Sequence, residues 1–232
     1  MTFSLNSLLI LCLSALSFAA VAQEETRTLS FSNFDRLDMG SAFVINVSQG
    51  SGYKITATGR KQDLDELEAK VTNSTLHVGY KDRTWNKNRE RVTFTITMPK
   101  LRGLAFSGAS RSSVKGFRDV DQLDLDISGA SNAEIEVDAA RVNADFSGAS
   151  TVVLTGKATR MQSEISGATS LKAYDLKLAE ASVEASGASK AQLFVTERLQ
   201  ADASGASSIR YRGGASNVRS NTSGAGSVRS EN

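Results

Sequence analysis

Five carboxylates recur at near-constant spacing in the second half of this 232-residue chain: Asp126, Asp145, Glu164, Glu184 and Asp202, followed by Asn221. Each stands two residues before a Ser-Gly-Ala triplet. If their segments stack as neighbouring strands, the side chains form one column about 5 Å apart. Like charges at that spacing repel and raise each other's pKa values. Such a column could hold a divalent cation, Ca²⁺ being the natural choice for oxygen ligands. The other reading is a solvated charged face that blocks lateral strand pairing. The second reading is favoured, because carboxylates on Ca²⁺ normally converge from loops. The Gly-Gly-x-Gly-x-Asp nonapeptide of Ca²⁺-loaded solenoids is also absent.

A second column follows the triplets. Tyr174, Phe194 and Arg212 each lie eight residues after a triplet serine, in line with Thr155. Exposed aromatics beside an arginine could take sugar rings or a partner protein. Cross-strand stacking that stabilises the sheet is the other reading. Trp85 sits in the stretch Lys81 to Arg91, net +3, which could contact an anionic polymer or simply be a solvated loop. Catalysis has little to work with. The chain has one His (His77) and one Cys (Cys12), too few for a Cys/His dyad, a cysteine zinc site or a histidine cluster. The formal charge of +2 does not suggest a nucleic-acid partner.

The elements that place these residues are set by a repeat. Ser-Gly-Ala begins at Ser107, Ser128, Ser147, Ser166, Ser186, Ser204 and Ser223, at spacings of 21, 19, 19, 20, 18 and 19 residues. Seven copies at one period mean a solenoid. Counting back from each serine, positions −5, −3 and −1 are mostly apolar and −4 and −2 polar, as in Leu123, Leu125, Ile127 and Val142, Ala144, Phe146. That is a strand entering the triplet. Apolar residues at +5, +7 and often +9 mark a second strand leaving it, as in Ala133, Ile135, Val137. Length variation falls between the strands, where a loop corner absorbs it.

Gly108, Gly129, Gly148, Gly167, Gly187, Gly205 and Gly224 then occupy a structural corner, where glycine permits positive φ or close approach. The following Ala is expected to point into a narrow corner. The Ser or Thr after it in six copies reads as turn chemistry, hydroxyl to backbone. Scarce Pro (one) and aromatics (6%) fit a thin stacked coil. The expected fold is all-β: a parallel β-solenoid of about seven coils of ~19 residues, preceded by an irregular β-rich part with one short helix.

In that first part, Ala42 to Val47, Tyr53 to Thr58, Thr75 to Tyr80 and Val92 to Met98 read as strands, the last stopped by Pro99. Asp63 to Lys70 reads as the helix. Residues 1–22 carry no charged side chain and end in Ala20-Val21-Ala22, the pattern of a secretory leader. The expected division is 1–22 leader, 23–106 N-terminal β-rich part and 107–232 repeat solenoid, the last two continuous. Charge is uneven: net +5 over 23–119, −6 over 120–203 and +3 over 204–232.

The segment Gly40 to Gly50, the strand Tyr53 to Thr58, the helix Leu64 to Ala69, the strand Thr75 to Val78 and the Ser-Gly-Ala ladder together resemble the head GIN domain family. These are secreted bacterial proteins named as autotransporter adhesins. The likeness covers roughly residues 28–225. It implies a β-solenoid-like fold, an envelope or extracellular location and no enzymatic activity. A self-exporting autotransporter needs a C-terminal membrane barrel, and the 29 residues from Ser204 cannot build one.

The expected function is therefore a non-enzymatic, exported binding module, adhesin-like, presenting flat solenoid faces to a surface glycan or protein. It would sit in the periplasm, on the outer-membrane surface or outside the cell, with no transmembrane span in the mature chain. No cofactor is expected beyond the Ca²⁺ option. One alternative is a structural envelope protein that forms homo-oligomers through an open solenoid end. Another is a polysaccharide-degrading β-helix enzyme, which would need groups converging in a cleft built by long loops.

Overall fold

A computed structural model describes residues 24–82 and 88–231. The leader with Cys12, and Trp85 of the basic stretch, lie outside the described residues. The N-terminal part contains β1 (Glu24–Thr28), β2 (Arg36–Met39), β3 (Val44–Gln49), β4 (Lys54–Arg60), α1 (Lys61–Asp65), β5 (Leu67–Thr72), β6 (Thr75–Tyr80), β7 (Thr93–Met98) and β8 (Gly103–Phe106). Long strands follow: β9 (Arg111–Ile127), β10 (Asn132–Phe146), β11 (Thr151–Ile165), β12 (Ser170–Ala185) and β13 (Lys190–Ala203). The last coils hold β14 (Ser208–Arg212), β15 (Asn217–Thr222) and β16 (Ser227–Ser230). The fold is a parallel β-solenoid of about seven turns after an irregular β-rich start.

Each central coil is one long strand bent in the middle, rather than two strands separated by a loop. The bend carries the length differences. Pairing shifts register between Val153 and Gly156 and between Ala173 and Lys177. The result is two faces. The halves leaving each triplet form one face, which β3, β7, β4 and β1 extend towards the N-terminus. The halves entering each triplet form the other, which β8, β2, β6 and β5 extend.

Period-two patterning drives this arrangement. Leu123, Leu125, Ile127, Ala133, Ile135 and Val137 are all buried between the faces, and the same positions of later coils stack on them. The irregular start uses larger side chains. Phe34, Phe43, Phe94 and Phe106 fill its wider interior.

At the triplet corner the seven glycines have φ between 65° and 77°. A Cβ on Gly148 would lie 2.3 Å from the Gly129 carbonyl oxygen of the coil below. That oxygen accepts a hydrogen bond from the Ala149 N–H at 2.8 Å, so it cannot move away cheaply. The alanine does not point into the corner. Ala109, Ala130, Ala149, Ala168, Ala188 and Ala206 are exposed, and the next residue turns inward instead. Ser110, Ser131, Ser150, Thr169, Ser189 and Ser207 are at most 1% exposed. In two copies the turn itself satisfies the hydroxyl, Ser110, Ser189 and Ser207 donate to a neighbouring coil, and the Thr169 hydroxyl is buried without a partner. Ser131 and Ser150 donate to the Ser128 and Ser147 carbonyls at 2.8 and 2.9 Å.

The helix is shorter and earlier than the sequence suggests. It ends at Asp65, and Leu67–Thr72 pairs antiparallel with β6. Leu67, Ala69 and Val71 turn towards the core while Glu68 and Lys70 face water. Alternation over six residues and a waiting strand edge outweigh the helix formers. The last coil differs from those before it. Its inward positions are Val218, Ser220 and Thr222, stacked on Leu199, Ala201 and Ala203, and β15 is exposed throughout. A polar terminal coil is what a solenoid end needs to remain soluble.

Candidate functional site: an acidic groove on the entering face

The five carboxylates form one continuous column. Asp126 pairs in register with Asp145, Asp145 with Glu164, Glu164 with Glu184, Glu184 with Asp202, and Asp202 with Asn221. The same rank continues towards the N-terminus through Ala105, Asp38 and His77. Strand spacing puts successive carboxylates about 4.8 Å apart.

This rank lies in a hollow surface. A cavity of about 640 Å³ is lined by Asp38, Asp126, Asp145 and Glu164, among others. A second of about 360 Å³ is lined by Asp145, Glu164, Glu184 and Asp202. They share Asp145 and Glu164, so they are one groove along the coils. The adjacent outward rank runs Asp124, Asn143, Gln162, Ser182, Gln200 and Arg219, neutral along its middle and charged only at its two ends.

The column carboxylates in the groove are left uncompensated, since the one cation lining it among the described residues, Arg36, is held by Asp124. Elsewhere carboxylates find cations. Asp124 meets Arg36 at 2.7 Å, Glu180 meets Arg160 and Arg198, and Asp138 meets Arg118 and Lys157. In contrast, Asp126, Asp145, Glu164 and Glu184 make no salt bridge or side-chain hydrogen bond among the described residues. Asp202 receives only the amides of Asn221 at 2.6 Å and Gln200 at 3.5 Å. Burial, then the charges of Asp145 and Asp38, pushes the Asp126 carboxyl above its ordinary range. At the end of the rank, His77 Nδ1 lies 2.8 Å from Asp38 Oδ2. Among the described residues no three His, Cys, Asp or Glu side chains gather as a metal-holding set. A cation in the groove would meet these carboxylates one strand at a time.

The second column is rearranged. The register shift after Ala173 places Phe194 opposite Lys177, so it does not follow Tyr174 in line. The bend absorbs three extra residues on that coil, which the sequence spacing alone does not locate. Tyr174 and Arg212 nevertheless meet. The Arg212 guanidinium lies 4.2 Å from the Tyr174 ring centre. Both reach Glu231: the Tyr174 hydroxyl donates to Oε2 at 2.5 Å, and Arg210 and Arg212 donate at 2.9 and 3.4 Å. These groups clasp the final strand.

Comparison with known proteins bears on the fold. The family profile described as "Putative auto-transporter adhesin, head GIN domain" matches residues 33–215. No curated protein matches the chain. A solved "putative adhesin" from Bacteroides fragilis superposes with a TM-score of 0.83 at 21% identity, covering 90% of this chain and 97% of that one. A "putative adhesin" from Parabacteroides merdae gives 0.70 at 18%, covering 91% and 98%. A "Putative lipid binding protein" from Parabacteroides distasonis gives 0.69 at 17%, also covering 91% and 98%. At these identities the solved structures speak for the fold alone. No helix among the described residues is long and apolar enough to cross a membrane. With the profile matched over most of its length, the chain belongs to the head GIN domain family of adhesin-like proteins.

Proposed function

We propose that this protein is an exported, non-enzymatic binding module, and that its acidic groove takes an extended basic polypeptide segment from a surface partner. The observation that carries the reading is the run of unpaired carboxylates along a hollow face. A column of like charges is unfavourable in the free protein. A cationic partner relieves that repulsion and gains complementarity along the whole groove. A polypeptide suits it better than a glycan, since no aromatic ring stands in the two outward ranks that line it. The adjacent Asn143, Gln162 and Gln200 amides offer hydrogen bonds to a backbone. The leader sequence and the family's adhesin character support an envelope or extracellular location.

Enzymatic readings find no support in the groove. Its walls are strands, without the long loops that would bring an acid and a base together. Among the described residues, the one side-chain hydrogen bond of His77 is to Asp38, and no hydroxyl completes a nucleophilic set. The test is calorimetric titration of the exported protein with octalysine at low salt, alongside a glycan array. Binding should weaken at least tenfold in Asp145→Asn/Glu164→Gln/Glu184→Gln. An octalysine titration without heat, or binding unchanged in that variant, would contradict the proposal.

A second reading rests on a separate feature. A cleft of about 450 Å³ at the N-terminal end is lined by Leu29, Phe31, Leu64 and Leu67, and by Asp65 with the Arg27 and Lys81 that it holds. Its size and lining suit an acyl chain, in keeping with the lipid-binding name of one structural neighbour. A fluorescent fatty acid displaced by Ala69→Trp would support it. No fluorescence change with the wild-type protein would remove it.

A further inference from the structure

The face opposite the groove carries the complementary charge. Arg111, Lys115, Lys172, Lys190 and Arg229 stand on the leaving face, exposed, and make no ion pair among the described residues. Glu134 is an unpaired carboxylate on this face. Lys172 and Lys190 lie on adjacent coils, and Arg210 and Arg229 continue the rank of Lys172 through Gln192. In that rank cations stand at Lys172, Arg210 and Arg229 while Glu134, Val153 and Gln192 hold the other rungs, so the cations are set apart by whole multiples of the strand spacing that separates the carboxylates. Cations on one molecule can therefore fall in step with carboxylates on another.

Most other charges on the coils are paired within the chain: Glu180 with Arg160 and Arg198, Glu136 and Asp138 with Arg118, Glu231 with Arg210 and Arg212. The unpaired ones are segregated by sign, cations predominating on the leaving face and carboxylates on the entering face, with Glu134 and Arg219 as the exceptions. We propose that a second copy of this chain is one occupant of the groove, with the basic leaving face of one copy docking on the acidic entering face of the next. This rests on the groove being a binding surface for basic polypeptide, and it names the partner. The two patches differ, so the contact is head-to-tail in kind and need not close after two copies. The ends of the solenoid are not required. The terminal coil, with Ser220 and Thr222 at inward positions that Ala201 and Ala203 fill one coil earlier, offers an end-on partner little apolar surface and suits a lateral assembly better.

Charge reversal tests this directly in the exported protein. One variant reverses the groove (Glu164→Lys/Glu184→Lys), the other the opposite face (Lys172→Glu/Lys190→Glu). All four residues are exposed, and circular dichroism checks that both variants keep the β fold. Sedimentation velocity should show wild-type mass rising with concentration at about 20 mM salt and falling to monomer near 300 mM, where screening is short-ranged. Each variant alone should remain monomeric at low salt. An equimolar mixture should recover association, because each variant then offers the face the other needs. Wild-type protein that stays monomeric at low salt overturns the proposal. So does a mixture that fails to associate, or assembly that persists in both separate variants. Octalysine binding by a monomeric wild type would overturn the second-copy step alone. Loss of both would overturn the groove reading with it.

Discussion

Replacing Gly148 by alanine should be among the most damaging single-methyl changes in this protein. The added Cβ would sit 2.3 Å from the Gly129 carbonyl oxygen and 2.9 Å from its nitrogen. Both are backbone atoms of the coil beneath, and the oxygen is fixed by the Ala149 rung. The φ of +76° adds left-handed strain of roughly 1–2 kcal/mol. Forcing the rungs apart adds about 1–3 kcal/mol, as overpacking in a close-packed interior does. The total is about 3 kcal/mol, or a melting temperature lower by roughly 6–12 °C for a chain of this size. Gly224 supplies the control. Its φ is +65°, but its Cβ would stand 3.1 Å from the Gly205 oxygen at the loose end of the stack. Gly224→Ala should therefore lose only the strain component, about 1–2 kcal/mol. Ala149→Lys, at an exposed position, should stay within about 0.5 kcal/mol. Thermal unfolding followed by far-ultraviolet circular dichroism reads all three. Equal losses at 148 and 224 would refute the argument that coil-to-coil contact, rather than φ alone, selects glycine.

Two buried hydroxyls should respond with opposite sign in chemical denaturation. Ser150→Ala removes a satisfied turn bond and should cost about 1 kcal/mol, whereas the Ser163 hydroxyl is buried without a partner, so Ser163→Ala should gain about 1 kcal/mol. Asp126 makes the protein more stable as pH falls. Its folded pKa lies above the ordinary Asp value near 3.9, so the ionised form is the disfavoured one and protonation just above that value relieves it. Asp124 works the other way. Burial alone would raise it, but bonds from Arg36, Gln122 and Asn143 prevail and lower it, so its stabilisation is lost as pH falls through that lowered value. Melting temperatures across about pH 3 to 7 should show the acid-side gain disappear in Asp126→Asn and the acid-side loss shrink in Asp124→Asn. Glu231→Gln should speed amide exchange in Ser227–Ser230 several-fold, because Arg210 and Arg212 lose their carboxylate, while β10 to β12 stay protected.

The repeat made most of the solenoid readable. The −5, −3, −1 and +5, +7 positions point inward because a strand has period two and each coil repeats the same register. The acidic column follows from the same logic, since residues at a fixed offset from the triplet must stack. What sequence spacing could not give was the bend. There, extra residues such as Tyr174 to Leu176 are absorbed by a bulge, and only the pairing shows that Phe194 meets Lys177. The corner misleads for a related reason. Ser-Gly-Ala-Ser offers two small residues after glycine, and the backbone path, not size, decides that Ala149 faces out and Ser150 in. The irregular start lacks a repeat, so the short β1, β2 and β8 carry no periodic signal strong enough to place them, and in β5 helix formers mask a six-residue alternation. Nor does sequence reveal which charges are paired. The isolation of Asp145, Glu164 and Glu184, against the pairing of Glu180 and Asp138, appears only once the coils are stacked.

The measurement that meets the central claim most directly is a map of where a basic peptide lands. Backbone amide chemical shifts of the isotope-labelled exported protein, followed during titration with octalysine, locate the contact. The predicted result is a continuous run of perturbations at Asp126, Asp145, Glu164, Glu184 and Asp202 and their neighbours in the entering halves of β9 to β13, lost when salt is raised. Perturbations confined to the N-terminal cleft or scattered over both faces, or none at all, would contradict it.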